Sequence, residues 1–157
     1  MRDFVREEEF DLVLSMFTSF GYFDDKDEDA VVLGNVFASL KPGGVLLMEM
    51  VGKEFLAGVF QPTTMEELPD GSRLVQKHEI FDDWTRIRNE WVLIRRGRSR
   101  TFRFHHTIYS GQEIKDRLGS AGFEDVHLYG SLEGHPYGLE AQALVAVARR
   151  PGRRRGA

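Results

Sequence analysis

Two short apolar runs, one helix length apart, constrain this chain more than any other feature. Phe10-Asp-Leu-Val-Leu14 is apolar at every position but Asp11, and Gly44-Val-Leu-Leu-Met48 is a second such run. Unbroken apolar runs suit strands covered on both faces, as in parallel sheets. Between them Asp27, Glu28 and Asp29 precede Val31, Val32, Val36, Phe37 and Leu40. That spacing of about four residues gives a helix one buried face, and carboxylates at its start favour the positive end of the helix dipole. Lys41-Pro42-Gly43-Gly44 then ends the helix, because proline cannot continue it and glycine tolerates positive φ. A parallel strand pair joined by a helix is a right-handed crossover, so Phe10 to Met50 reads as part of an α/β sheet.

Ligands of such sheets bind beyond the carboxyl ends of the strands. Here those ends are Ser15-Met-Phe-Thr-Ser-Phe-Gly-Tyr22 and Glu49-Met-Val-Gly52. The first is more apolar than a solvent loop should be. Phe17, Phe20, Tyr22 and Phe23 either line a pocket there or seal the end of the core, and Gly21 permits close backbone approach to a ligand. Glu49 is either a positioning group for a polar acceptor or an ordinary exposed strand-end carboxylate.

The remainder changes character twice. Residues 51–60 predict a short helix or lid anchored by Phe55, Leu56 and Phe60, followed by Gln61-Pro-Thr-Thr64 in extended form. Arg73 to Tyr109 holds three β-rich segments with turn signals between them, an antiparallel meander. Trp84–Ile94 is its long strand, and Phe102, Phe104, His106 and Ile108 alternate with Arg103, His105 and Thr107. Its arginines (86, 88, 95, 96, 98, 100 and 103) suit an anionic ligand through bidentate guanidinium contacts, or a solvated face whose charges discourage edge pairing. Adjacent His105 and His106 point to opposite faces of a strand, which argues against a shared metal. Ser110-Gly-Gln-Glu113 is a capping box opening a helix to Gly122. Phe123–Tyr129 and Ala143–Ala148 read as the last two strands.

On these residues the chain resembles the C-terminal half of a class I S-adenosylmethionine-dependent methyltransferase, in the small-molecule branch with a β insertion after strand five. FDLVLSMFTSFGYF matches the family's fourth strand and following loop. LKPGGVLLMEM matches its helix end and fifth strand. The resemblance implies a partial Rossmann-like α/β sheet in the order four, five, seven, six. It implies one methyltransferase domain over residues 1–150, with the β insertion at 73–109; residues 151–157, which offer no core residues, read as a disordered basic tail. Carried over residue by residue, it places Ser15, Met16 and Phe17 against the cofactor S-adenosylmethionine, and Phe20, Tyr22 and Glu49 on the substrate side. Tyr22 is then the catalytic candidate, orienting or deprotonating an acceptor nitrogen or oxygen. Asp3 would lie near the adenine.

The family's glycine-rich cofactor loop and the acidic end of its second strand have no counterpart in this sequence. A chain that begins at the end of the third strand is therefore expected, or an upstream start. Such a chain should bind the cofactor weakly or not at all. It would leave the edge of strand 10–14 open, which predicts a homodimer or a partner chain covering it. A non-catalytic dimeric scaffold is the alternative function.

Composition narrows the rest. At 157 residues, 41% hydrophobic and 29% charged, the chain is of globular, single-domain size. A net charge of −4 gives no support to nucleic-acid binding. Without cysteine there is no disulfide framework, and no apolar run approaches a membrane span. A cytoplasmic protein acting on a small molecule, with neither nucleic acid nor membrane as partner, is expected.

Overall fold

The computed structural model describes residues 1–153. In chain order the elements are β1 (Phe10–Ser15), α1 (Lys26–Ser39), β2 (Leu40–Met50), α2 (Lys53–Val59), β3 (Thr63–Glu67), β4 (Arg73–Phe81), β5 (Arg86–Arg95), β6 (Arg98–Thr107), α3 (Gly111–Ser120), β7 (Glu124–Tyr129) and β8 (Leu144–Arg149). They fall into two compact units, Met1–Gly58 with Tyr109 onward, and Val59–Ile108.

The first unit is a four-stranded mixed sheet in the order β1-β2-β8-β7, the order expected from the sequence. β1 and β2 run parallel and the β7–β8 pair is antiparallel. α1 starts at Asp25, whose side chain accepts from the Asp27 amide, and its first turn holds three carboxylates. Both features satisfy the orphan donors and the dipole of a helix start. α3 opens with the full Ser110/Glu113 capping box. α1 and α3 bury Val32, Leu33, Ile114 and Leu118 against Leu46 and Met48 of β2 and Leu144 of β8, which form one core.

Three details differ from the sequence reading. Val31 is exposed and Leu33 is buried instead, whereas Val32, Val36, Phe37 and Leu40 keep the expected face and Asp29 is fully buried beside them. The Lys41–Gly44 segment belongs to β2 as an irregularity: the register jumps from Phe10↔Leu40 to Leu12↔Val45, and Gly43 takes the positive φ. β1 is not covered on both faces. Leu12 and Leu14 are 52% and 57% exposed, because α1 and α3 pack on the opposite face of the sheet.

The second unit is an antiparallel sheet in the order β3-β4-β5-β6. The three segments anticipated from the sequence are β4, β5 and β6, with β5 starting at Arg86 after a turn in which Asp82, Asp83 and Trp84 all have positive φ. β3 is an addition, with Thr64 meeting Gln76 and Met65 meeting Val75. On one face, opposite charges stand directly across strands. Arg88 meets Glu79 at 2.6 Å, and Glu90 bridges Arg103 at 2.7 Å and Lys77 at 3.5 Å. The other face carries Trp91, Phe102 and Phe104, with the Trp91 and Phe104 rings edge to face at 5.1 Å.

Of the expected tail, Arg153 is placed by a 2.9 Å ion pair with Glu8, and residues 154–157 lie outside the described residues. Among the described residues no helix is long and apolar enough to cross a membrane.

Candidate functional site

At the carboxyl end of β1 the local geometry departs from ordinary backbone. Phe17 and Thr18 are consecutive and both left-handed, at φ +56° and +53°. For a bulky and a β-branched side chain this conformation is an outlier costing about 1–3 kcal/mol each. Such strain persists only where the surroundings fix it, and here Glu49 does so. The Phe17 amide donates to Glu49 Oε2 at 2.6 Å, and the Thr18 amide donates to the Glu49 carbonyl at 3.1 Å. In return the Val51 amide donates to Thr18 Oγ1 at 3.1 Å. Ser15 Oγ and Ser19 Oγ lie 3.2 Å apart beneath the loop. The loops after β1 and β2 are thus stitched into one rim.

The sequence-predicted residues separate within this rim. Ser15 is buried, Met16 half-buried, and Phe17 projects with 88% exposure. Phe20 lies in the core, its ring 5.6 Å from that of Tyr109. Tyr22 is exposed, and partial burial of its phenol raises the pKa above its ordinary value. Glu49 is half-buried and engaged with the Phe17 backbone. Asp3 is exposed and 3.6 Å from Arg2. Thr18 and Ser19 were not singled out from the sequence; the signal available was two small hydroxyls between aromatic residues on a strand-end loop.

Beyond β2 a second cluster forms around Glu54. Tyr137 donates its hydroxyl to Glu54 Oε2 at 2.6 Å, and the Gly111 amide donates to Oε1 at 3.0 Å. Burial first, and then the Glu54 carboxylate, hold the Tyr137 phenol protonated far above its usual range. Gly52 and Gly111 leave the room: a Cβ on Gly52 would meet the Tyr137 hydroxyl at 2.7 Å, and one on Gly111 would meet the Tyr137 ring at 2.8 Å. This cluster fixes the β7–β8 connection to α2 and to the start of α3.

Solved structures share this fold. CcbJ, a methyltransferase from Streptomyces caelestis, is similar with a TM-score of 0.79 at 17% identity, over 92% of this chain and 62% of that one. An S-adenosylmethionine-dependent methyltransferase from Clostridium acetobutylicum gives 0.81 at 13% identity, over 96% and 62%. CalS10, an amino pentose methyltransferase from Micromonospora echinaspora solved with S-adenosylmethionine bound, gives 0.64 at 21% identity, over 95% and 61%. The fold is that of the S-adenosylmethionine-dependent methyltransferases. The chain spans about three fifths of the length of these structures. No family model matches the sequence, and no curated protein does.

In the methyltransferase fold the rim after β1 and β2 lies at the ligand-bearing end of the sheet. Of Ser15, Met16 and Phe17, Ser15 is buried with its hydroxyl against Ser19, Met16 is half-buried, and Phe17 alone presents an exposed side chain. A hollow along β1, lined by Phe4, Phe10, Val13, Leu14 and Val36 among others, holds about 160 Å³. That is below the roughly 300–1,000 Å³ of small-molecule sites. None of Ser15, Met16 and Phe17 lines it, and by itself it is too small to hold the whole cofactor.

Proposed function

We propose that this chain forms the substrate-side portion of an S-adenosylmethionine-dependent methyltransferase acting on a nitrogen or oxygen of a small molecule. The observation that carries the reading is the strained Phe17–Thr18 turn, fixed by Glu49, at the carboxyl end of β1 in a sheet of methyltransferase order. The methyl group would come from the cofactor, against which Ser15, Met16 and Phe17 are proposed to lie. Tyr22 is proposed to orient the acceptor by hydrogen bonding. Its raised pKa disfavours a role as base, because a general base works best near the ambient pH. Glu49 positions the loop and acts on the acceptor only through it. Phe20, from the core, backs the rim and keeps water out. An amine-bearing sugar is the first acceptor to test, given the amino pentose methyltransferase among the similar structures.

Transfer requires the remaining part of the fold, in the same polypeptide or in a partner. The free side of β1 is the proposed junction. Among the described residues β1 pairs only with β2, and its own Leu12 and Leu14 are exposed on one face. An apolar edge of this kind recruits another strand, so a homodimer or a partner chain is proposed there.

Calorimetry with S-adenosylmethionine tests the reading on two samples, this chain and the product of the reading frame extended upstream of Met1. Binding by the extended product, with S-adenosylhomocysteine released when an amino sugar is added, is the expected result. Absence of binding in both, together with a stable dimer in sedimentation, would replace the enzyme by a scaffold. A monomer at high concentration with no bound partner removes the β1 junction.

A further inference from the structure

The tip of the β5–β6 hairpin breaks the charge pattern of its own sheet. Along the paired face, opposite charges oppose each other, as Glu79 does Arg88 and Glu90 does Arg103. At the tip, on the other face of the sheet, which also carries Trp91, Phe102 and Phe104, Arg95 is registered directly opposite Arg98, and Arg100 follows Arg98. Like charges directly across an antiparallel pair destabilise it. The two-residue turn between them, Arg96-Gly97, has both φ angles positive, at +49° and +73°. A turn of that kind favours asparagine or glycine at its first position, yet a fourth arginine stands there.

Only Arg95 of these four has a carboxylate within ion-pair distance among the described residues, Asp70 at 3.4 Å. Arg100 is oriented by the face of Phe102, its guanidinium 5.1 Å from the ring centroid. Together Arg95, Arg96, Arg98 and Arg100 line, with Leu93 and Ser99, a hollow of about 800 Å³. It is a shallow depression open to solvent, so a bound anion would keep one side in water. The solvated-face reading of the arginines holds for Arg88 and Arg103. It does not explain four cations converging on one concavity at a cost to the hairpin.

We propose that this hairpin tip is a binding site for a small phosphate-bearing anion, with diphosphate as its simplest form. Opposed strand positions lie about 5 Å apart and successive same-face positions about 7 Å. Guanidinium forks on that grid reach neighbouring phosphoryl oxygens bidentately. A small ligand is favoured over a nucleic acid because the cations form a cluster and not a stripe, on a chain of net charge −4. The site is built wholly from the second unit and stands apart from the methyl-transfer reading.

The test titrates the full chain at low salt with inorganic phosphate, diphosphate and a short oligothymidylate, following backbone amide shifts by NMR. Saturable diphosphate binding with Kd of about 1 mM or tighter, mapped to residues 93–100, is expected. Arg98→Ala with Arg100→Ala should weaken it at least about tenfold, whereas Arg103→Ala on the opposite face should leave it within about twofold. Arg98→Glu, which sets a carboxylate opposite Arg95, should abolish binding and raise the melting temperature. No saturable binding, or equal affinity in the double variant, overturns the proposal. Preferential binding of the oligothymidylate overturns it in favour of a polyanion surface.

Discussion

The Tyr109 hydroxyl donates a 2.6 Å hydrogen bond to the Asp29 carboxylate, joining the residue that opens the α3 segment to the first turn of α1, 80 positions earlier. Both side chains are buried. The Arg117 guanidinium sits over the other side of this junction, 4.9 Å from the Tyr109 ring centroid. Tyr109→Phe keeps the ring and its contacts and removes one donor from a buried carboxylate. Leaving a buried acceptor short of a partner costs about 1–3 kcal/mol. Urea denaturation should show the unfolding free energy lowered by that amount, as a lower midpoint at unchanged slope; an unchanged midpoint would mean the hydrogen bond contributes nothing net.

The Glu54 cluster is limited by space and not by charge. Gly111 is the first residue of α3, where alanine would ordinarily favour the helix. A methyl group there would come within 2.8 Å of both the Leu128 side chain and the Tyr137 ring. Forcing that contact apart strains a packed region at about 1–3 kcal/mol, which outweighs the gain in helix propensity. Gly111→Ala should therefore lower the melting temperature. Tyr137→Phe, which only removes the hydroxyl bound to Glu54, should lower it less.

The parallel pair, both long helices and the last two strands were legible because each is a local pattern: apolar runs, a capping box, a helix-length spacing. β3 was not legible as a strand. Its five residues are nearly all exposed, so no alternation marks them, and they are extended only because β4 pairs with them. The role of Asp29 was hidden for a similar reason. Three acidic residues in a row suggest a helix start and nothing more, and the one that turns inward is chosen by Tyr109. At the rim, the sequence singled out the loops after β1 and β2, which the structure joins by hydrogen bonds. It could not divide the aromatic residues, and the structure sends Phe20 inward and Phe17 outward.

His106 ties the stability of the second unit to pH. Burial first, and then the neighbouring charges of His105 and His78, lower its pKa from 6.5 to about 4. The unfolded chain takes up this proton near pH 6.5 and the folded chain only near 4. Between those values the unfolded state binds more protons, so stability is full above about pH 6.5 and falls as the pH drops towards 4. The slope should approach, at most, about 1.4 kcal/mol per pH unit. Denaturation midpoints measured across this window should fall for the natural sequence and stay flatter in His106→Gln. Parallel curves for the two would locate the titration elsewhere.

Glu49 has the clearest test at the proposed site, because its carboxylate and its backbone do different work. The carbonyl accepts from Thr18 as part of the chain itself and survives any substitution, whereas the carboxylate alone holds the Phe17 amide. A charge-assisted hydrogen bond to a backbone amide contributes about 1.5–3 kcal/mol, comparable to the cost of one left-handed non-glycine residue. Glu49→Ala should therefore release the turn without unfolding the sheet. Amide exchange at Phe17 should accelerate at least about tenfold, while amides in β2 and β8 exchange as before. Glu49→Gln keeps an acceptor oxygen and should restore most of the protection. If instead Phe17 exchanges equally in all three proteins, the strained turn is held by its own Thr18 and Ser19 contacts, and Glu49 becomes available to an acceptor.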